Sequence, residues 1–403
     1  MTRESMSQGQ VQAAPEATTD RRAGRGAFYN VFVLGFTSLL TDISSEMVYP
    51  LLPLFLTMQL GVGPAIVGTI EGIAESLASV LKVFSGHISD RSGRRKPLTL
   101  GGYAGSTIGK LFLYLAWSWP MVLVARIIDR FGKGVRTAPR DALIADTVPA
   151  EARGRAFGLH RLLDTTGAAI GALLGYFFLT RYQGDFKAVF IWSLVPAAIG
   201  LAVLAFAREP GNRRKLAKEL SFKWGALDRR LKAFLIIAFV FALGNSSNQF
   251  LLLRAGNVGF SAPTVILLYL VYNLTYALVS YPAGRLSDRV GRKALLVVGY
   301  AFYGLVYLGF ARVRALPLYW SLFVLYGVYI GASEGVEKAF IADIAPGQLR
   351  ATMIGLHAML VGVGLLPASL IAGFLWKLYG PVAPFYFGGV MGLLASLGLA
   401  LLI

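Results

Sequence analysis

From Phe28 to Ile403 the chain repeats one pattern, an apolar stretch of about 20 residues followed by a short break that carries Gly, Pro or charge. A helix of that length crosses a hydrocarbon core roughly 30 Å thick. The pattern predicts twelve spans, at 28 to 57, 64 to 86, 97 to 117, 120 to 145, 155 to 180, 187 to 207, 233 to 254, 263 to 285, 294 to 312, 317 to 343, 352 to 378 and 382 to 403. The expected fold class is therefore an all-α membrane protein.

The polar breaks alternate in charge. The one after span 2 holds Arg91, Arg94, Arg95 and Lys96, that after span 4 holds Arg153 and Arg155, and that after span 8 holds Arg289, Arg292 and Lys293. The breaks at 58 to 63 and 117 to 119 hold no basic residue. By the positive-inside rule the basic breaks and both termini face the cytoplasm. Residues 1–27, polar and without the apolar core of a signal peptide, are expected to form a disordered cytoplasmic tail.

The chain also repeats itself at long range. Gly86, Asp90, Arg91, Gly93 and Arg94 return as Gly284, Asp288, Arg289, Gly291 and Arg292, an offset of 198. Ile144-Ala145-Asp146 returns as Ile341-Ala342-Asp343, and Gly158-Leu159-His160 as Gly355-Leu356-His357, both offset by 197. A constant offset means two parallel copies. The expected organisation is an N-terminal six-helix bundle at 28–207, a basic cytoplasmic linker at 208–232 and a C-terminal six-helix bundle at 233–403.

Composition sharpens this picture in two ways. Of 403 residues, 56% are apolar and 15% charged, against about 25% charged in a soluble domain. The net charge of +18 would suggest nucleic acid in a soluble protein, but here it reports orientation, so no nucleic-acid partner is expected. With no Cys, disulfides and thiolate metal sites are excluded. Gly331 to Gly335 matches a five-residue nucleophile-elbow pattern but lies inside an apolar span, and no complete phosphate loop is present, so neither an enzyme nor an ATP-driven pump is expected.

The repeated loop resembles the hallmark of the major facilitator superfamily, GxxxDRxGRR, which Gly86, Asp90, Arg91, Gly93, Arg94 and Arg95 meet in full. The second copy departs at its last place, Lys293. The resemblance spans all twelve stretches. It implies two pseudo-symmetric six-helix bundles, alternating access, a cavity lined by helices 1, 4, 7 and 10, and a loop whose charges stabilise one of the two states. Three further patterns resemble the proton-antiporting exporters of the family. These are Gly158, Gly167, Gly171 and Gly175 in span 5, Pro50 and Pro53 in span 1, and Arg126 at the place of a membrane-embedded Arg. Ala172 and Tyr176 depart from the first pattern, and Asp129 and Arg130 replace a Gln and a Gly in the third. The small-residue face of span 5 equally suits close helix packing.

Charges inside spans are costly and mark a watery or paired interior. Asp42 and Glu46 share one face of span 1, and Glu71 and Glu75 one face of span 2. Arg126, Arg130 and Lys133 line span 4, with Asp129 placed to pair with Lys133. Asn245 and Asn248 are the main polar entries of span 7, and Glu334, Glu337 and Lys338 of span 10. These expectations place substrate and proton coupling in the first half, with the acidic face of span 1 opposite the basic face of span 4. His160 and His357, and the stripe Tyr269, Tyr272 and Tyr276, are expected mainly to pack. No cofactor or metal is expected; the coupling ion is a proton, the substrate a small organic compound for export, and the protein a monomer of the inner membrane. An anionic metabolite is the alternative, followed by a metal ion on the four carboxylates, or a non-transporting sensor.

Overall fold

The computed structural model describes residues 21–149, 152–209, 227–345 and 350–403. Residues 1–20 of the expected tail and most of the expected linker lie outside the described residues, while 21–27, expected to be disordered, and 229–232, expected to belong to the linker, are helical. The described chain forms helices α1 (Arg21–Val48), α2 (Pro64–Ser92), α3 (Lys96–Leu115), α4 (Trp119–Thr147), α5 (Arg153–Arg181) and α6 (Phe186–Leu204). After the linker come α7 (Arg229–Gly244, resuming as Gln249–Asn257), α8 (Ala262–Val290), α9 (Arg292–Arg312), α10 (Leu316–Ile344), α11 (Arg350–Tyr379) and α12 (Ala383–Leu402). No strand occurs among the described residues.

Proline and glycine set many of the boundaries. Pro64, Pro97, Pro120, Pro263, Pro317 and Pro384 stand in the first turns of α2, α3, α4, α8, α10 and α12, where a missing N–H costs nothing. Gly93 ends α2 with φ +67° and donates its N–H to the Ser89 carbonyl at 3.0 Å. Its counterpart Gly291 has φ +91°. Both hallmark glycines thus hold the left-handed half of backbone space that other residues avoid.

Span 7 departs from the expected continuous helix: it breaks at Asn245–Asn248. A break at membrane depth must satisfy its freed backbone groups inside the protein. Here the Tyr303 hydroxyl donates to the Gly244 carbonyl at 2.9 Å, and the Ser247 N–H donates to Ser369 Oγ at 3.3 Å. In the first half the matching stretch is a distortion, since α1 tightens at Tyr49–Leu51 and widens at Phe55–Gln59 before it ends.

The packing repeats as the sequence does. In the first half α1 packs on α5 and α6, α4 on α2 and α3, and α3 on α6. In the second half α7 packs on α11 and α12, α10 on α8 and α9, and α9 on α12. The bundles meet along α2 with α11 and α5 with α8, two contacts that the same pseudo-symmetry exchanges. Large apolar side chains such as Leu278, Trp117 and Leu401 stand exposed on the outer faces, as a lipid-facing surface requires. Nine of the described helical stretches are long and apolar enough to cross a membrane by composition alone. The other three are α2, α3 and α4, which carry, respectively, Glu71, Glu75 and Lys82; Lys110; and Arg126, Asp129, Arg130 and Lys133.

Candidate functional site

Between the bundles lies a cavity of about 490 Å³, walled by α1, α2, α3 and α4 on one side and α7 to α11 on the other. One end is shut. Gly68 and Gly72 of α2 press so closely on α11 that a Cβ would lie 2.3 Å from the Ser369 carbonyl oxygen and 2.9 Å from a Leu366 methyl group. Ser76 Oγ donates to the Gly362 carbonyl at 2.8 Å. The Gln249 amide donates to the Tyr49 carbonyl at 3.2 Å where α1 meets α7. From the cavity a second space of about 650 Å³, lined by Lys82, Asp141, Arg161, Asp164 and Lys338, leads towards the helix ends that carry the hallmark loops.

The first-half wall is a charge cluster with an order the sequence did not show. The Arg126 guanidinium grips Glu71 in a bidentate pair, Nε to Oε1 and Nη2 to Oε2 both at 2.9 Å, and also reaches Asp129 at 3.2 Å. Arg130 pairs with Glu75 at 2.7 Å and with Asp129 at 3.4 Å. The Tyr49 ring faces both guanidinium groups at 5.9 and 6.0 Å. So the acidic partners of Arg126 and Arg130 come from α2 and from α4 itself. Asp42 and Glu46 line the same cavity as these two arginines but form no ion pair with them among the described residues. Asp129 likewise pairs with the two arginines rather than with Lys133.

Asp42, Glu46, Glu75, Arg126, Asp129, Arg130, Lys133, Asn245 and Asn248 all line the cavity. Glu71 does not; it is completely buried beneath Arg126, and its place among the substrate-facing residues is withdrawn. Asp42 makes no ion pair or hydrogen bond among the described residues. Glu46 accepts a short hydrogen bond from the Tyr269 hydroxyl of the other half. Lys133 is exposed to the cavity, and its ammonium pairs with no carboxylate among the described residues. A cation not singled out as a site residue joins it: Lys110 of α3, buried, donates to Ser44 Oγ at 2.7 Å.

The second-half wall is aromatic and amide. Tyr269, Tyr272, Tyr300, Tyr326 and Tyr329 line it with Phe241. Asn248 is clamped between two of them, donating to Tyr272 Oη at 3.2 Å and accepting from Tyr326 Oη at 2.6 Å. Tyr269 and Tyr272, expected to serve packing, therefore also face the cavity, whereas Tyr276 donates to Glu334 at 2.7 Å and accepts from Arg161 of α5 at 2.9 Å. Tyrosines at helical spacing are common in buried helices, so nothing in span 10 or span 9 marked Tyr326, Tyr329 and Tyr300 in advance.

The hallmark loops have partners of their own. Arg95 Nε lies 2.9 Å from Asp146. The backbone N–H groups of Arg95 and Lys96, at the start of α3, donate to the Glu209 carboxylate at 2.9 and 2.7 Å. In the second copy Arg292 closes a short contact with Asp343 and reaches Asp288 at 3.3 Å. Arg91, Arg94 and Arg289 are exposed, and Gly86 and Gly284 lie one helical turn before the loop acids. The Asp90 side chain lies outside the described residues. Of the span 5 glycines, Gly167, Gly171 and Gly175 press on the α1 carbonyls of Leu39, Ile43 and Met47, while Gly158 meets nothing. Their packing role is thereby explained.

A sequence profile described as Major Facilitator Superfamily matches residues 34–253 and 234–403. An MFS-type transporter of Methanocaldococcus jannaschii is 38% identical over 91% of this chain and 93% of its own length. The multidrug resistance protein MdtH of Photorhabdus laumondii is 26% identical over 90% of this chain and 92% of its own. Among solved structures, the nucleoside transporter NupG superposes with a TM-score of 0.76 at 13% identity, over 93% of this chain and 99% of that one. The human organic anion transporter MFSD10 gives 0.67 at 18%, over 92% and 98%. Two repeated bundles around a polar cavity, the hallmark loop in both copies and a profile match along almost the whole chain agree, and the protein belongs to the major facilitator superfamily as a multi-pass membrane transporter, not an enzyme.

Proposed function

We propose that this transporter exports a small organic compound in exchange for protons, by alternating access between units 28–207 and 233–403, with the basic loops and both termini in the cytoplasm of an inner-membrane protein. The observation that carries the proton coupling is the state of α1. Asp42 faces the cavity with no ion pair among the described residues, and Glu46 faces it held by a tyrosine hydroxyl of the opposite half. A carboxylate already neutralised by arginine, like Glu71, has no use for a proton; an unpaired one in a poorly hydrated wall gains by taking it. When Glu46 is protonated its bond to Tyr269 must be remade, which ties the proton to the contact between the halves. The relatives named for multidrug resistance support export.

The test is a pH gradient across proteoliposomes holding the purified protein, challenged with a panel of organic cations, neutral compounds and anions. A transported compound collapses the gradient. Asp42→Asn and Glu46→Gln are expected to abolish pH-driven accumulation, while at least one still exchanges labelled substrate. Both variants retaining full accumulation would sink the assignment. A second reading, transport of an anionic metabolite, is favoured by Lys133 and Lys110, two cavity cations with no carboxylate partner among the described residues.

A further inference from the structure

The offset that equates His160 with His357 also equates Arg140-Asp141 with Glu337-Lys338. At these equivalent places the halves carry opposite charges. His160 has its acid on its own helix, Asp164, 3.4 Å away. Four residues after His357 stands Val361, so the same arrangement is impossible there. Its acid comes instead from another helix: Glu337 of α10 places Oε2 3.5 Å from His357 Nε2.

Four helices converge on this pair. Tyr300 of α9 donates its hydroxyl to Glu337 Oε1 at 3.0 Å, which leaves Oε2 for the imidazole. The His357 ring of α11 stacks on Phe234 of α7, centroids 5.8 Å apart and planes 19° from parallel. The side chains of Glu337 and His357 are only 14% and 7% exposed, yet both line the cavity. The other ionisable groups close by are on α10. Tyr329 also lines the cavity, and Lys338 is taken by Glu334 at 2.9 Å. No cation is therefore bonded to Glu337 among the described residues, and His357 Nε2 has no hydrogen-bond partner.

A carboxylate beside a neutral imidazole leaves one net negative charge in a protein wall that solvates it poorly. One proton shared by the two cancels that charge and converts a 3.5 Å approach into a charge-assisted bond. We infer that Glu337 and His357 form a second proton-holding site, in the C-terminal half and separate from the carboxylates of α1. Lys338, next in the chain, lies on another side of α10 and pairs with Glu334 one turn back. The inference does not depend on the direction of transport or on the cargo, since it concerns only where a proton is held.

The chain has three histidines, so ring resonances of the full-length protein labelled with nitrogen-15 histidine in lipid nanodiscs are resolvable, and His357 is assigned by its loss in His357→Gln. In Glu337→Gln the titration midpoint of His357 is expected to move by at least about one pH unit, a tenfold change in proton affinity, while that of His160 stays in place. Tyr300→Phe, which removes the hydroxyl but not the acid, should move it less. If Glu337→Gln does not fold, Glu337→Asp withdraws the carboxylate by one methylene and the midpoint must still move. A His357 midpoint unchanged in the folded acid variant overturns the inference, whatever the flux assays show.

Discussion

Arg126 shows what a buried charge does here. With Glu71 completely buried beneath it, removing the guanidinium strands an acid where nothing else can solvate it. Arg126→Ala is therefore expected to lower stability by about 3 to 5 kcal/mol, read as a large drop in the melting temperature of the detergent-purified protein; a shift of a degree or two would contradict the buried pair. Lys133 stands at the other extreme, a cation facing open space. Lys133→Gln should leave melting nearly unchanged and weaken binding of an anionic substrate strongly, with little effect on a cationic one. Arg130→Ala cannot discriminate so cleanly, because Arg130 also holds Glu75 and Asp129. Equal losses for both substrate charges in Lys133→Gln would remove the reason for an anion reading.

Among the helices, glycine has two distinct jobs. Gly167 lets α5 lie against α1 inside one bundle, its added Cβ 2.5 Å from the Leu39 carbonyl oxygen. Gly68 lets α2 lie against α11 across the bundles. The same substitution should then have different consequences. Gly167→Ala is expected to cost about 1 to 3 kcal/mol of stability through overpacking, without changing the distance between the halves. Gly68→Ala should instead disfavour the shut end, because the proposed alternating access includes a state in which that contact is released. Since the chain has no cysteine, spin labels on single engineered cysteines at the start of α2 and the end of α11 report the separation cleanly. An identical distance distribution in Gly68→Ala and wild type would show that this contact does not control the closed end.

For the whole molecule, the two hallmark loops are geometric equivalents with unequal partners. In the first, the start of α3 is capped by Glu209, so the loop is tied to the chain leaving α6. In the second, Lys293 donates to the Ala400 carbonyl at 3.2 Å, and Asp288 is largely exposed, 3.3 Å from Arg292. The first loop is thus the better candidate for stabilising one conformational state. Asp90→Asn should lower flux severalfold while the protein still inserts and melts normally, and Asp288→Asn should do less. Normal flux in Asp90→Asn, measured in the same proteoliposomes, would count against gating by this loop.

The sequence by itself determined the twelve helices, their division into two parallel copies, the polar interior and the family. Those features rest on periodicity, offset and composition, which are properties of the chain in order. It also named most of the cavity's ionisable groups, because a charge inside an apolar span has few places to go. What only the tertiary structure decided is who meets whom. Glu71 and Glu75 look alike on one helix face, yet one is sealed under Arg126 and the other borders the cavity, since that depends on how α2 turns towards α4 and α11. The break in α7, the tyrosine wall and the Glu337–His357 pair were hidden for the same reason. Each joins residues from different helices, and the rotation of one helix about its axis is set by packing against its neighbours, not by the spacing of residues along it.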